Sequence, residues 1–249
     1  MLMPFALAVQ FLTRLPFSGP QEPTAQDLAR SMAYYPAVGL LLGLILSVEY
    51  LLLSLCLPEE PLSLMIVLTL VLLTGNLHLD GLMDTADGLF SGRDQAGMRP
   101  IMKDSRMGAH GVTAGVGALL LKYTLLASLA RSQMIPALLS MPMMGRWVMV
   151  YSVARYPYAW GDGGLAKVFT DGVGLRELSW ASLTAALALL TIWGSVGLGL
   201  FALWLFLGIL IAGWLARRFG GVSGDICGAA GELLEIGVLL SLVAIRRWI

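Results

Sequence analysis

Seven apolar windows constrain what this chain can fold into more than any other feature. A helix needs about 20 residues to cross about 30 Å of hydrocarbon. Windows of about that length or slightly shorter lie at roughly 37 to 57, 62 to 79, 111 to 130, 135 to 153, 179 to 195, 197 to 215 and 232 to 245. They predict an all-α, polytopic transmembrane helical bundle of about seven spans, within a range of six to eight, accompanied by interfacial helices. Composition agrees: 57% of residues are hydrophobic, 13% are charged and mean hydropathy is +0.79, against about 45–50% apolar and about 25% charged in soluble domains.

The zero formal net charge carries no bulk basicity of the kind that nucleic acid attracts. Cys56 and Cys227 are far apart in sequence and form no metal-ligand spacing, so both read as small apolar residues. Met1 to Phe17 lacks a leading basic residue and a small-residue cleavage site, so it reads as part of an N-terminal interfacial segment over 1–36 and not as a signal peptide. Pro58 and Pro61 mark the first hairpin, and Pro136 reads as a helix start, where a missing N–H costs little. With no internal repeat and no low-complexity tail, residues 1–249 read as one domain.

Lys and Arg in short loops set orientation. With the N-terminus inside, the cytoplasmic set is Arg14, Arg30, Arg93, Arg99, Lys103, Arg106, Arg155, Lys167, Arg176, Arg217 and Arg218. The outer set is Arg131, Arg246 and Arg247, of which the C-terminal pair runs against the bias. This orientation places an 80–110 segment and the 216 to 231 stretch on the cytoplasmic side of an inner membrane.

The segment His78-Leu79-Asp80-Gly81-Leu82-Met83-Asp84-Thr85-Ala86-Asp87-Gly88 follows directly on the second apolar window. On a helix, positions i, i+4 and i+7 fall within roughly 60° of one another, so Asp80, Asp84 and Asp87 share a face. Three carboxylates left in lipid would cost about 8–10 kcal/mol at about 2.5–3.5 each, so they face a cavity or the interface. A divalent cation with a phosphate-bearing substrate relieves their mutual repulsion, because Mg²⁺ takes a few carboxylates and leaves its other positions to water and phosphate oxygens. His78 reads as a metal ligand or as a hydrogen-bonding interfacial residue.

Past this cluster the chain turns basic and glycine-punctuated, with Arg93, Arg99, Lys103, Asp104, Ser105, Arg106, Gly108 and Gly111. Cations beside carboxylates suit an anionic substrate bridged by metal, although Arg93 and Arg99 also fit plain positive-inside signalling. A second acidic group, Asp225, Glu232 and Glu235, sits among Gly220, Gly221, Gly224, Gly228 and Gly231. Asp225 and Glu232, seven apart, share a face if helical, and the glycines suit close helix packing or backbone laid against a ligand. Lys122 and Arg146 lie deep within spans, where charges are functional candidates by default. Arg146 could reach a phosphate, while Lys122 could snorkel or pair with Glu49. The stretch from Gly161 to Phe169 reads as a gating or connecting loop. No P-loop, GxSxG, HExxH or CxxC pattern occurs.

Taken together, these pieces resemble the cobalamin synthase family, the adenosylcobinamide-GDP ribazoletransferases. The resemblance runs from Gln10 to Pro16 and Tyr35 to Gly39, through His78 to Gly88, Lys103-Asp104-Ser105 with Gly108 and Gly111, and Arg146, to Gly220-Gly221-x-Ser223-Gly224-Asp225 and Gly228-Ala229-x-x-Glu232. Leu77, Met83 and Ser223 depart mildly from the family pattern. The resemblance implies that a ribose hydroxyl of α-ribazole, or of its 5′-phosphate, attacks the corrinoid-side phosphorus of adenosylcobinamide-GDP and releases GMP. It assigns Mg²⁺ to Asp80, Asp84 and Asp87, with Asp84 or Asp87 as base and Lys103 and Arg146 stabilising charge on the transferring phosphoryl group. Arg93, Arg99, Asp104, Ser105, Arg106, Asp225 and Glu232 are then substrate-binding residues, with Asp225 and Glu232 completing the metal site or orienting the nucleophile. Association with other corrinoid-assembly enzymes and self-association stay open.

Three other readings use similar residues. A CDP-alcohol phosphotransferase would carry D-G-x-x-A-R with a later G-x-x-x-D-x-x-x-D, whereas here the arginine is missing and the spacing is 4 then 3, and a membrane prenyltransferase would carry two separate aspartate-rich loops. A cation-coupled transporter would show inverted repeats and midplane charges.

Overall fold

A computed structural model describes residues 2–17, 22–161 and 165–245; Arg246, Arg247 and residues 162–164 of the glycine-rich loop lie outside them. The described chain is helical apart from one isolated bridge between Tyr158 and Val222. In order come α1 (Leu2–Leu12), α2 (Ala25–Ser31), a 3₁₀ turn (Met32–Tyr34), α3 (Tyr35–Leu53), α4 (Glu59–Thr74), α5 (Leu77–Leu89), α6 (Gln95–Met102), α7 (Ala109–Ala127), α8 (Arg131–Arg155), α9 (Leu165–Gly172), α10 (Leu175–Trp193), α11 (Val196–Phe219) and α12 (Gly224–Ile245).

By length and composition five described helices can cross a membrane, or six if α4 and α5 form one broken span. The protein is therefore a multi-pass membrane protein. The expectation of about seven spans is approximate for two reasons. The window at 62 to 79 runs through a 90° bend between α4 and α5. The window at 135 to 153 falls on α8, which has 25 residues but carries Ser140, Arg146 and Ser152 together with Pro136 and Pro142. Pro136 is thus the sixth residue of a helix and not its start, and it removes one backbone hydrogen bond there. The 161 to 169 stretch is likewise not wholly loop, since α9 begins at Leu165.

The bend arises from local chemistry. Gly75 and Asn76 both adopt left-handed φ, +60° and +64°, at no steric cost for glycine and little for asparagine. The Gly75 N–H donates to the Leu72 carbonyl at 3.1 Å and the Asn76 N–H to the Val71 carbonyl at 2.9 Å. This is the paired ending that closes a helix and satisfies its last carbonyls. Helix α5 then leaves the axis of α4 at a right angle.

Helix α8 is the centre of the bundle, with Met143, Met144, Val148 and Val150 fully buried. Helix α3 lies on it so closely that a Cβ at Gly39 would come within 2.5 Å of the Met143 Cα, and one at Gly43 within 2.5 Å of the Leu138 carbonyl. Small residues four apart admit this approach, and in lipid such packing drives helix association. Helix α12 meets α5 in the same way: a Cβ at Gly81 would stand 3.0 Å from the Asp225 Cα. The outward faces of α4, α7, α10 and α11 carry exposed Leu72, Leu120, Leu187 and Phe206, as a lipid-facing surface requires.

Candidate active site

Helix α5 carries the three aspartates, and the break at Gly75-Asn76 turns it across the ends of α7 and α12. The expected shared face forms, but the three carboxylates have different surroundings. Asp80 is exposed, while Asp84 and Asp87 are half-buried. Asp84 is pushed up to about 6, first by burial and then by the negative charges of Asp80, Asp225 and Asp87, with Lys103 pulling the other way. Four carboxylates and one lysine therefore act on one another at this surface. Lys103 donates to Asp225 Oδ2 at 3.2 Å, which ties the segment after α6 to the first turn of α12.

Asp87 has a different environment from the other two. Its carboxylate accepts the backbone N–H of Gly108 and that of Gly111, both at 2.8 Å. It therefore caps the N-terminus of α7, where a negative charge also meets the positive end of the helix dipole. The two glycines follow from this contact, because a Cβ at either would collide with the Asp87 carboxylate. Among the described residues no group of three or more His, Cys, Asp or Glu is arranged to hold a metal ion by itself. A cation here would need phosphate oxygens and water to fill its shell.

Of the basic segment, Lys103 alone reaches these carboxylates through a hydrogen bond. Arg99 Nη1 donates to the Trp160 carbonyl at 3.2 Å and pins the loop before α9. Arg106 pairs with its neighbour Asp104 at 2.7 Å, and that bonding holds Asp104 at about 2. Arg93 and Ser105 are exposed.

The structure places Arg146 and Glu232 elsewhere, in a buried cluster with Lys122, Glu235 and His78, none of which is among the site residues that the resemblance implied. Lys122 on α7 donates to Glu232 Oε2 at 2.7 Å and also to Glu235. Arg146 on α8 pairs with Glu235, and its Nη2 donates to His78 Nδ1 at 3.2 Å. Two cations and two carboxylates balance, so the cluster brings no net charge into the bundle. Gly145 makes room for it, since a Cβ there would lie 2.8 Å from the Glu235 side chain. Glu49 instead accepts from the Thr69 hydroxyl at 2.9 Å. Glu235 was recognisable in sequence: three residues after Glu232, it shares a helix face with it.

His78 links the two regions. A guanidinium only donates, so Nδ1 accepts and the ring hydrogen sits on Nε2, which is buried and has no partner among the described residues. His78 and Asp225 together border an open, largely apolar cleft between α1, α8, α9 and the start of α12. The cleft thus touches the carboxylate surface through Asp225.

The amino-acid sequence of the chain matches a known family. The model of cobalamin-5-phosphate synthase matches residues 4–243. A relative from Desulforamulus reducens, named adenosylcobinamide-GDP ribazoletransferase, is 42% identical over 95% of this chain and 94% of its own. Relatives of the same name from Ectopseudomonas mendocina and Clostridium acetobutylicum are 41% and 32% identical, covering 95% and 96% of this chain and 96% and 95% of theirs. No solved structure matches. Matched over nearly its whole length, the chain belongs to the cobalamin-5-phosphate synthase family.

Proposed function

We propose that this protein is an adenosylcobinamide-GDP ribazoletransferase, working at the inner membrane with its active site open to the cytoplasm. A ribose hydroxyl of α-ribazole or its 5′-phosphate attacks the corrinoid-side phosphorus of adenosylcobinamide-GDP. The bond from that phosphorus to the bridging oxygen breaks, GMP leaves with that oxygen, and the hydroxyl proton passes to a carboxylate. One observation carries the reading: Asp80 and Asp84 on α5, past the bend at Gly75-Asn76, gather with Asp225 and Lys103, in a chain of this family.

The donor set fits Mg²⁺. The carboxylates of Asp80 and Asp84, one turn apart, accept no hydrogen bond from the described residues, and hard carboxylate oxygens suit this ion when phosphate supplies the rest of its shell. Asp87, held by two backbone N–H groups, positions α7 and supports the site from behind. When bound, the ion would draw charge from the diphosphate oxygens and so ease attack at phosphorus. Lys103 meets the negative charge that develops on the transferring group. Asp225, at the border of cleft and carboxylate surface, orients the acceptor hydroxyl and takes its proton. Arg146 and Glu232 act from within the bundle by holding α5, α7, α8 and α12 together.

The test is turnover by purified protein in liposomes supplied with adenosylcobinamide-GDP, α-ribazole 5′-phosphate and Mg²⁺. GMP and the joined corrinoid should appear and should vanish with EDTA or with Asp84→Asn. No product from folded protein would overturn the reading.

A further inference from the structure

The cleft beside Asp225 combines two features that together identify an occupant. Its wall is largely hydrocarbon and aromatic: Phe11 stacks on Tyr35 at a centroid distance of 6.4 Å and meets Phe169 edge-on at 5.4 Å, with Met149 completing the lining. Into this wall is set His78, whose tautomer is imposed by Arg146 and whose Nε2–H lacks an acceptor. A buried donor without a partner is uncommon and calls for one, and a pocket of this kind commonly binds through apolar contact plus a few placed polar groups.

Resting on the function proposed above, we infer that this cleft holds the heteroaromatic base of the acceptor nucleoside, and that the His78 Nε2–H donates to its unsubstituted ring nitrogen. A benzimidazole base suits these terms. It is flat, it is hydrocarbon over nearly all its surface, and it offers one acceptor nitrogen once the other bears the ribose. Guanine and the adenine of the adenosyl group, the other bases in the reaction, carry several donors and acceptors that an apolar wall would leave unpaired. With the base in the cleft, its ribose extends toward Asp225 and the carboxylates of α5. Recognition of the base and orientation of the hydroxyl are then joined through α12, and Arg146 serves as a positioning residue that keeps His78 in the donating form.

The test is equilibrium binding of free α-ribazole to the full-length protein in nanodiscs, beside an analogue whose acceptor ring nitrogen is replaced by C–H. Wild-type protein should bind α-ribazole about tenfold or more tightly over the analogue, the scale of one well-made hydrogen bond. His78→Phe should bind the two alike, and His78→Gln, which keeps a donor, should recover part of the preference. Binding of both compounds within twofold by wild type, binding of neither, or displacement of α-ribazole by GMP would each overturn the assignment. The wild-type comparison needs no variant to fold. Turnover measured in parallel separates the two ideas: product without discrimination removes the base site and leaves the transferase, whereas discrimination without product does the reverse.

Discussion

The Asp87 carboxylate accepts the Gly108 backbone N–H at 2.8 Å, so the last aspartate of the block joins the end of α5 to the start of α7. With Gly111 as its second donor, it does structural work that its spacing from Asp80 and Asp84 does not reveal. Asp87→Asn keeps one acceptor and loses the charge. Charged hydrogen bonds contribute about 1.5–3 kcal/mol each, so the variant should lose about 2 kcal/mol of stability in denaturant titrations. Its Mg²⁺ affinity should stay within about threefold of wild type, the opposite of the large loss expected for Asp84→Asn. Equal losses of Mg²⁺ affinity in the two variants would return Asp87 to the metal site.

Asp225→Asn should lower kcat by about 10²–10⁴, the usual range for loss of a proton acceptor. The KM for adenosylcobinamide-GDP should move much less. Steady-state kinetics with the donor varied would show this split, and a pure KM effect would make Asp225 a binding group only.

The raised proton affinity of Asp84 predicts two pH effects. A proton competes with Mg²⁺, so affinity should climb from pH 5 through about 6 and level off near 7. Without metal the sign for stability is the reverse of that for an ordinary paired aspartate. A carboxyl raised in the folded state contributes its full stability below the unfolded value near 4 and loses it as pH rises through about 6. Melting of metal-free wild type should therefore fall relative to Asp84→Asn over that window. A constant difference would mean that the neighbouring carboxylates do not act on Asp84.

Lys122→Met leaves Glu232 without its cation inside the bundle, and such losses cost about 3–5 kcal/mol. Glu232→Leu added to it removes the orphaned charge while Glu235 keeps Arg146, so much of the loss should return. Unfolding of the two single variants and the double variant in mixed micelles measures the coupling, and additive losses would show that the pair does not interact.

Gly43→Leu should prevent close approach of α3 to α8, since even a Cβ would lie 2.5 Å from the Leu138 carbonyl and 2.7 Å from the Leu139 Cα. Gly117→Leu on α7 meets open space and should cost about 1 kcal/mol or less. Yield of folded protein after detergent extraction compares them, and similar yields would show that the α3–α8 contact tolerates bulk.

By itself the amino-acid sequence determined the helical class, the multi-pass character and the common face of Asp80, Asp84 and Asp87. Each of these follows from local chemistry: apolar run length, the 3.6-residue period, and the cost of charge in lipid. It also brought the family into view, because the glycines and aspartates fall at fixed spacings along one chain. Tertiary structure alone decided how these charges divide. Lys103 and Arg146 look alike in sequence as cations near the acidic block, yet one faces Asp225 at the surface and the other is sealed against Glu235 and His78. That difference depends on which faces of α5, α8 and α12 meet, and Gly81, Gly145 and Gly228 control it by admitting close contact between helices far apart in the chain. The bend at Gly75-Asn76 was hidden for a related reason. Leucines continue on both sides of it, so the apolar window runs on to residue 79 while two left-handed residues turn the backbone through a right angle.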